Sequence, residues 1–349
     1  MKLHKILSGV MHCVVIATLL SAMIGCTRKQ KEDITLVISP YQDLAMVVNI
    51  HPLGLDRKYG TTVKIKTIPW QDTLPTLASV AGDVDIGFAS LTEFLAKEEN
   101  LNKGSNDPLL FIFPTYVFKG GAFVTFRKDM KPIFQNNAFD DNALKQFLQS
   151  RIGLSKNTLY QMLVYQFARK SGMATSKINI VDIPFDEGLF AAQKGDLDVA
   201  AVGLTQLTEA LKRGGRVLFN MDDIGFADIT GFVCKKSVLE KKRRHIENLI
   251  AMWFDATAHV MANLDRNSQH SLDYLRRNAA TRYTIDEYKR ALSQEYFPIT
   301  LEQANRDMIA SDGRYSYQKT YEAAADFLVG EGVVGKRPSK PEFIQTKAK

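Results

Sequence analysis

Gly-Asp-Val-Asp-Ile-Gly-Phe-Ala-Ser-Leu-Thr occupies residues 82–92, and Gly-Asp-Leu-Asp-Val-Ala-Ala-Val-Gly-Leu-Thr occupies residues 195–205. Five of the eleven aligned positions are identical. Each copy follows a β-like run that ends in Ile-Pro-aromatic, at residues 62–70 and 177–185, and a short helical stretch separates each run from its motif. Because the order of elements repeats together with the letters, the sequence indicates one structural unit used twice.

The rest of the chain alternates strand-like and helix-like stretches, which is the pattern of a parallel sheet with crossover helices. Besides the runs around the repeats, it predicts strands at 34–38, 109–113, 122–126, 151–154, 217–219 and 230–234. Helices are predicted at 43–59, 72–80 and 158–171, and they dominate after residue 237, at 238–263, 269–279, after the capping box at 284–287, and at 317–329.

Two α/β lobes follow from this alternation. The predicted fold class is α/β, with each lobe a mixed, mostly parallel sheet covered by helices on both faces. The chain is expected to cross at Gly120 and Gly121 and to return near Asp228 to Gly231, and these four residues form the predicted hinge. The first lobe then comprises 34–120 plus 228–334, and the second comprises 121–227. Ligands of open α/β sheets bind beyond the carboxyl ends of the strands, so the repeat predicts two facing half-sites.

The N-terminus reads as an export signal over residues 1–25. Lys2 and Lys5 precede an apolar run over 10–24, which closes on Met-Ile-Gly-Cys at 23–26. This resembles a bacterial lipobox, in which Cys26 is acylated and becomes the first residue, followed by a polar tether over 26–33. The alternative is a single membrane anchor, but a span of the bilayer needs roughly 20 apolar residues. We therefore predict a lipid-anchored protein on the outer side of a bacterial membrane, periplasmic or at the cell surface.

Composition supports a large globular domain outside the cytoplasm. With Cys13 in the signal and Cys26 lipidated, Cys234 stands alone and forms no intramolecular disulfide, so a large core must stabilise the fold. The formal charge of +7 is mild for 349 residues. A basic stretch at 241–244 precedes apolar residues at helical spacing, which is typical of a solvent-exposed helix start. No nucleic-acid partner is therefore predicted. Residues 335–349 are polar and are expected to form a flexible tail.

The strand-Ile-Pro-Trp70 segment and the two Gly-Asp-x-Asp motifs resemble those of the solute-binding lipoproteins of ATP-driven (ABC) importers, a group with the two-lobed type II periplasmic-binding-protein fold. The branch it is most similar to carries nitrate, taurine, alkanesulfonates and thiamine-pyrimidine precursors. The resemblance covers roughly 34–330. It implies that the C-terminal helices complete the first lobe. It also implies that the protein hands its solute to a permease driven by a cytoplasmic ATPase, and we expect a monomer without a cofactor.

The resemblance places the ligand contacts in loops that follow strands. In the first lobe these are Tyr41, Gln42, Trp70, Ser90 and Thr92, and in the second they are Ser155, Asn157, Thr158, Gly203 and Thr205. Ser155, Asn157 and Thr158 either help a helix N-terminus to cradle an anion or form a plain N-cap. Tyr41 and Trp70 either stack on a planar ring or are ordinary aromatic residues. Many family members have Trp-Glu-Pro where this chain has Gly-Leu-Thr-Gln at 203–206, which weighs against a sulfonate or taurine ligand.

Two other function classes were weighed against a transport receptor. An enzyme is not favoured, because no histidines have zinc-helix spacing and no nucleophile elbow, phosphate loop or dinucleotide fingerprint is present. The aspartate pairs Asp83/Asp85 and Asp196/Asp198 fit turn and strand-start positions better than acid and base roles. A sensor lipoprotein that feeds a signalling partner remains the alternative. The prediction is a receptor, not an enzyme, for a small polar or anionic organic solute, with a flat nitrogen heterocycle as one candidate and no metal.

Overall fold

A computed structural model describes residues 33–80, 83–136, 138–279 and 282–344. Its first sheet contains β1 (Ile34–Ile38), β2 (Val63–Thr67), β3 (Ile86–Ser90), β4 (Leu109–Phe118) and β12 (Asp228–Lys235). The strand order is β2-β1-β3-β12-β4. β1 runs parallel to β2 and β3, whereas β12 is antiparallel to β3 and β4, so the sheet is mixed.

The second sheet contains β5 (Ala122–Thr125), β8 (Ile152–Leu154), β9 (Ile180–Asp182), β10 (Val199–Val202) and β11 (Arg216–Asn220). Its order is β11-β5-β10-β8-β9, with β8 parallel to β9 and β10, and β5 antiparallel to β10 and β11. Two short strands, β6 (Phe134–Gln135) and β7 (Ala138–Phe139), pair with each other. Both sheets therefore have the mixed, mostly parallel arrangement that the sequence predicts.

Helices surround both sheets. They are α1 (Leu55–Tyr59), α2 (Thr73–Ala78), α3 (Leu91–Leu101), α4 (Asp141–Leu148), α5 (Leu159–Lys170), α6 (Phe185–Lys194), α7 (Leu204–Lys212), α8 (Lys236–Ala262), α9 (Leu264–Asn267), α10 (Gln269–Asn278), α11 (Ile285–Ser293), α12 (Leu301–Ala304) and α13 (Tyr317–Gly330). The predicted capping box is present at the start of α11, where the Thr284 hydroxyl and the Glu287 carboxylate each accept a hydrogen bond from the other residue's backbone N–H.

Alternating side chains of the strands fill cores on both faces of each sheet. In β5, Phe123 packs against α4 and α5 through Phe147 and Phe167, whereas its neighbour Val124 faces the opposite core with Leu189 of α6. In the first sheet, Phe88 lies 5.3 Å from Trp253 of α8 between ring centroids. The other face of that sheet packs against α3 and α13. Each such aromatic side chain stabilises the fold by roughly 1.5–3 kcal/mol through burial.

Several predicted boundaries change in the structure. The helix expected over 43–59 is instead a 3-10 helix at Ala45–Ile50 followed by α1, because Gly54 takes a left-handed conformation (φ 65°) that interrupts a helix. The strand predicted at 109–113 extends to Phe118, since β12 pairs along its full length. The prediction of a flexible tail is wrong for the described residues 335–344, because Ile344 is buried and its N–H donates to the Ile112 carbonyl at 3.0 Å.

The aspartates that open the two repeats make the same contacts. The Asp85 side chain accepts a hydrogen bond from the Thr35 backbone N–H at 2.8 Å, and it forms an ion pair with Lys242. Asp198 accepts one from the Arg151 backbone N–H at 2.8 Å, and it forms an ion pair with Arg127. Each carboxylate thus fixes the start of its strand to the start of the neighbouring strand. This confirms a structural role for Asp85 and Asp198 and places them away from the carboxyl ends of their strands.

The chain passes from one sheet to the other between β4 and β5, across residues 119–121, and returns between β11 and β12, across residues 221–227. Within the ranges given above, no helix is both long enough and apolar enough to cross a bilayer. The predicted signal over residues 1–25, Cys26 and most of the predicted tether lie outside the described residues. Cys234 is buried in β12, and burial raises the pKa of its thiol to about 12.

Candidate functional site

A cavity of about 220 Å³ lies between the two sheets, at the carboxyl ends of their parallel strands. The first sheet contributes residues that follow β1, β2 and β3, and the second contributes residues that follow β8, β9 and β10. Parallel strands place these loops at one edge of each sheet, so residues far apart in sequence converge on the same space. The two repeats supply one loop each.

The structure brings eight of the ten predicted contact residues to this cavity: Tyr41, Gln42, Trp70, Ser90, Ser155, Thr158, Gly203 and Thr205. Thr92 does not line the cavity. It is fully buried, its N–H lies 3.4 Å from Asp228 Oδ1, and its hydroxyl has no hydrogen-bond partner among the described residues. Asn157 does not line it either, and its left-handed backbone (φ 59°) directs its N–H to Gln161 Oε1 at 2.7 Å.

The loop after β8 uses most of its hydrogen-bond donors locally. The Thr158 hydroxyl donates to the Ser155 carbonyl at 2.6 Å, and the Ser155 hydroxyl donates to the Ile183 carbonyl at 3.3 Å. The Lys156 N–H donates to Asp182 Oδ1 at 2.9 Å. Thr158 precedes α5 but its side chain makes no capping bond. This loop therefore keeps neither hydroxyl hydrogen for an anion, and it is not an ordinary N-cap.

Aromatic rings form two walls of the cavity. Tyr41 and Trp70 lie 6.1 Å apart between centroids, with ring planes tilted by 33°. Tyr160 and Phe185 lie 5.1 Å apart on the opposite side, at 64°. The Trp70 indole N–H donates to Glu93 Oε2 at 2.7 Å, which fixes the ring against α3. The flat faces of these rings are suited to a planar or cationic organic group.

One hydrogen bond joins the two halves of the site directly. The Thr205 hydroxyl, from the loop after β10, donates to Gln42 Oε1 at 2.6 Å. Gln42 is fully buried, and its Nε2 has no hydrogen-bond partner among the described residues. A buried amide nitrogen without an acceptor is costly, so it is a candidate donor to a bound solute.

Carboxylates surround the Tyr41 phenol. Burial raises the pKa of Tyr41 far above its usual range, and Asp186, Asp43 and Glu93 raise it further by their charges. Asp43 is itself buried, with its two oxygens accepting hydrogen bonds from the Tyr116 hydroxyl at 2.5 Å and from the Leu44 N–H at 3.0 Å. Burial raises the pKa of Asp43 despite these two donors.

Two more buried carboxyl groups lie beneath the cavity. Burial raises the pKa of Asp228 to about 6, although the Ile229 N–H donates to it at 2.7 Å. Burial also raises the pKa of Glu295 well above its usual value, and the nearby Asp43 raises it further. The Glu295 carboxylate accepts from the backbone N–H groups of Lys119 and Gly120, at 2.5 and 3.1 Å, so it holds the first crossing segment.

The predicted hinge glycines lie in tight surroundings. A Cβ at Gly121 would come within 2.8 Å of the Tyr160 hydroxyl, and a Cβ at Gly120 would collide with Leu204. Gly231 lies within β12, where a Cβ would collide with Phe111. Asp228 begins the same strand. The glycines are thus required by close approach of neighbouring side chains.

Sequence reasoning missed several cavity residues. Glu93 and Gln206 occupy equivalent places, one residue beyond the two repeats, and both line the cavity. Phe185 was part of the second Ile-Pro-aromatic motif but was not assigned to the site. Extending the aligned repeats by one residue includes Glu93 and Gln206. Nothing local in the sequence indicates Asp43 or Tyr160.

Comparison with known proteins identifies the group to which this fold and site belong. A family model described as the NMT1-like family matches residues 27–271, which is more than half of the chain. The chain belongs to the NMT1-like family. No curated protein was found to match it.

Solved structures show that the fold is that of periplasmic binding proteins. The aliphatic sulphonate binding protein SsuA of Escherichia coli is 14% identical, with a TM-score of 0.64 and coverage of 87% of this chain and 94% of that one. SsuA of Xanthomonas axonopodis pv. citri, bound to MOPS, is 15% identical, with a TM-score of 0.64 and coverage of 87% and 95%. The nitrate-binding protein NrtA of Synechocystis PCC 6803 is 12% identical, with a TM-score of 0.59 and coverage of 86% and 82%. At these identities the likeness concerns the fold.

Proposed function

We propose that this protein is an extracytoplasmic solute-binding receptor that captures a small organic solute between two lobes and delivers it to an ABC permease. The observation that carries the proposal is the aromatic-walled cavity, which both repeats line with equivalent loops. Pockets at the carboxyl ends of α/β strands are the usual ligand sites of such folds. The similar solved structures named above, which include sulphonate- and nitrate-binding proteins, support the receptor class.

The lobes of the proposal are residues 34–120 with 228–334, and residues 121–227. Sheet membership supports this division, because β1–β4 and β12 form one sheet and β5 and β8–β11 form the other. The two crossings, at residues 119–121 and 221–227, are the proposed hinge. Gly120 and Gly121 lie in the first crossing, whereas Asp228 begins β12 directly after the second and Gly231 lies within that strand. Two contacts join the proposed lobes in this structure, an ion pair of 3.1 Å between Lys212 and Glu287 and the Tyr165 and Phe327 rings at 6.1 Å, and lobe opening would break both.

Anchoring completes the proposal. We infer that Cys26 carries the lipid and that the polar tether holds the folded part, which is described from Asp33 onward, near the membrane surface. Replacing Cys26 with Ser is expected to abolish labelling by a radioactive or clickable fatty acid and to release the protein into the soluble fraction. Retention in the membrane after this change would instead indicate an uncleaved N-terminal anchor.

Solute capture is tested by thermal unfolding against a panel of amines, heterocycles, amino acids, sulfonates and nitrate. A solute that binds the folded state raises the melting temperature by mass action, and small-angle scattering should show compaction with the same solute. The double variant Trp70→Ala with Thr158→Ala should reduce that shift at unchanged fold. A control is Phe190→Ala with Thr76→Ala, which likewise truncates one aromatic residue and one threonine, away from the cavity. If no solute shifts the melting temperature or compacts the protein, the receptor proposal is wrong.

A further inference from the structure

The charged groups that line the cavity are mostly acidic. Four carboxylates reach it, from Asp43, Glu93, Asp186 and Glu187, and two ammonium groups do, from Lys97 and Lys156. Lys97 is held by Glu93 at 2.5 Å, so those two charges largely offset each other. Of the remaining charged residues Asp43 is buried, whereas Asp186, Glu187 and Lys156 are exposed at the rim, which leaves an excess of carboxylates. Such a site attracts cations and repels anions.

The surroundings of Tyr41 show the same excess of carboxylates inside the cavity. Its phenol is surrounded by carboxylates from three separate segments: Asp43 beside it, Glu93 of α3 and Asp186 of α6. Asp43 and Glu93 are both more than nine-tenths buried, and low-dielectric surroundings strengthen the interaction of a carboxylate with a charge in the cavity. The acidic character therefore belongs to the interior of the site and not only to its rim.

Two further features indicate what kind of cation fits. Tyr41 and Trp70 present aromatic faces beside these carboxylates, and aromatic faces attract organic ammonium groups. Gln42, fully buried, lines the same cavity with an amide nitrogen that has no hydrogen-bond partner in the described part of the chain. A hydrogen-bond acceptor on the solute would satisfy that nitrogen. The combination favours a cationic group and an acceptor in one small molecule.

We propose that the cavity binds a small organic cation, with its positive group between the aromatic faces and the carboxylates of Asp43, Glu93 and Asp186, and with an acceptor atom at Gln42 Nε2. This inference rests on the proposed receptor function and names its solute class. It narrows the expectation of a small polar or anionic organic solute to a cationic one, because the charged lining is mostly acidic and the two hydroxyl groups of the loop after β8 donate to main-chain carbonyls.

The charge of the cavity can be measured without any solute. The chain has two tryptophans, and Trp253 is fully buried, so Trp70 is the one accessible to quenchers. Fluorescence quenching by Cs⁺ and by iodide, each divided by the value for N-acetyltryptophanamide, reports the potential at Trp70. We expect Cs⁺ to be at least twofold more effective than iodide on this scale. Trp70→Phe gives the baseline from Trp253.

Variants connect this potential to the named carboxylates. Asp186→Asn and Glu93→Gln should each lower the ratio of Cs⁺ to iodide quenching, and Glu93→Gln makes the first half-site match Gln206 of the second. Asp265→Asn, an identical change of charge at an exposed residue of α9, should leave the ratio unchanged. Preferential quenching by iodide in the unmodified protein would overturn the inference.

Solute preference is tested with three probes of similar size: benzylammonium, benzyl alcohol and benzoate, titrated by calorimetry at low salt. We expect benzylammonium to bind at least tenfold more tightly than benzyl alcohol, with benzoate weakest, and Asp186→Asn to reduce that preference. Tighter binding of benzoate would overturn the cation inference and leave the receptor function standing. Absence of binding by these probes and by the whole solute panel would overturn the receptor function, and the inference with it.

Discussion

The two copies of the repeat agree at the start of the strand and differ at its end. Asp85 and Asp198 bind equivalent backbone N–H groups and each pairs with a cation. At the other end, Ser90 caps α3 by accepting a hydrogen bond from Glu93, whereas Gly203 has no side chain with which to cap α7. The start of the strand is a requirement of the fold, so both copies keep it. The end faces the cavity, so each copy can differ there.

The residues that follow extend this contrast. Thr92 is turned into the core beside Asp228, whereas the equivalent Thr205 reaches across the cavity to Gln42. Glu93 pairs with Lys97 and Trp70, whereas the equivalent Gln206 donates to Asp186 at 2.9 Å. The first half-site thus carries its charge on α3, at Glu93, and the second carries it on the neighbouring helix α6, at Asp186. Four sets of substitutions test how far this comparison holds.

The largest effect is expected at Asp228, which faces Thr92. Its folded-state pKa of about 6 lies above the unfolded value of 3.8, so its contribution to stability is complete below pH 3.8 and is lost as the pH rises through 6. Asp228→Asn should therefore stabilise the protein by about 3 kcal/mol at pH 8 and change little below pH 4. Urea unfolding at the two pH values measures this. Equal stability of variant and parent at pH 8 would contradict it.

The next largest effect tests the shared start of the repeats. Asp85→Ala and Asp198→Ala should each cost about 2 kcal/mol, because each removes charge-assisted hydrogen bonds from a half-buried strand start. Asp83→Ala is the matched control, since that side chain is 82% exposed and forms a surface ion pair with Lys66. Unfolding in urea at pH 7 gives the comparison. A loss of stability in only one of the two variants would show that the two lobes are not equivalent at this position.

A smaller effect separates the two equivalent threonines. Thr205→Val should cost about 1 kcal/mol, because it leaves the buried Gln42 amide without its one hydrogen bond. Thr92→Val should be within about 0.5 kcal/mol of the parent, because the buried Thr92 hydroxyl makes no hydrogen bond of normal geometry with the described residues. Chemical unfolding of both variants measures the two changes in the free energy of unfolding. Equal losses at the two sites would mean that the halves are not joined through Gln42.

The smallest effect concerns the strand ends themselves. Ser90→Gly makes the first copy match the second at this position and should cost only a few tenths of a kcal/mol, since glycine is tolerated at an N-cap. Ser90→Ala should cost about 1 kcal/mol, because alanine is a poor N-cap. Thermal unfolding of the two variants side by side gives the ranking. A reversed order would show that Ser90 does not act as the cap of α3.

Much of the fold and part of the site could be predicted from sequence. Hydrophobic alternation and the repeated motif predicted two α/β units. Such a pattern can be read locally, because a strand or helix that buries one face has apolar residues at a fixed spacing. Eight of the ten residues predicted in the loops after strands line the cavity. Thr92 and Asn157 failed for a local reason: one side chain points into the core, and the other residue takes a left-handed turn.

The sequence by itself determined the duplicated unit, the structural aspartates and the edge of each sheet at which a ligand site forms, because these follow from spacing along the chain. Only the tertiary structure decided the charge of that site. Asp43, Glu93 and Asp186 lie on three segments, and the folded chain alone brings them around Tyr41. Burial then strengthens their field, and burial depends on packing between elements that are distant in sequence.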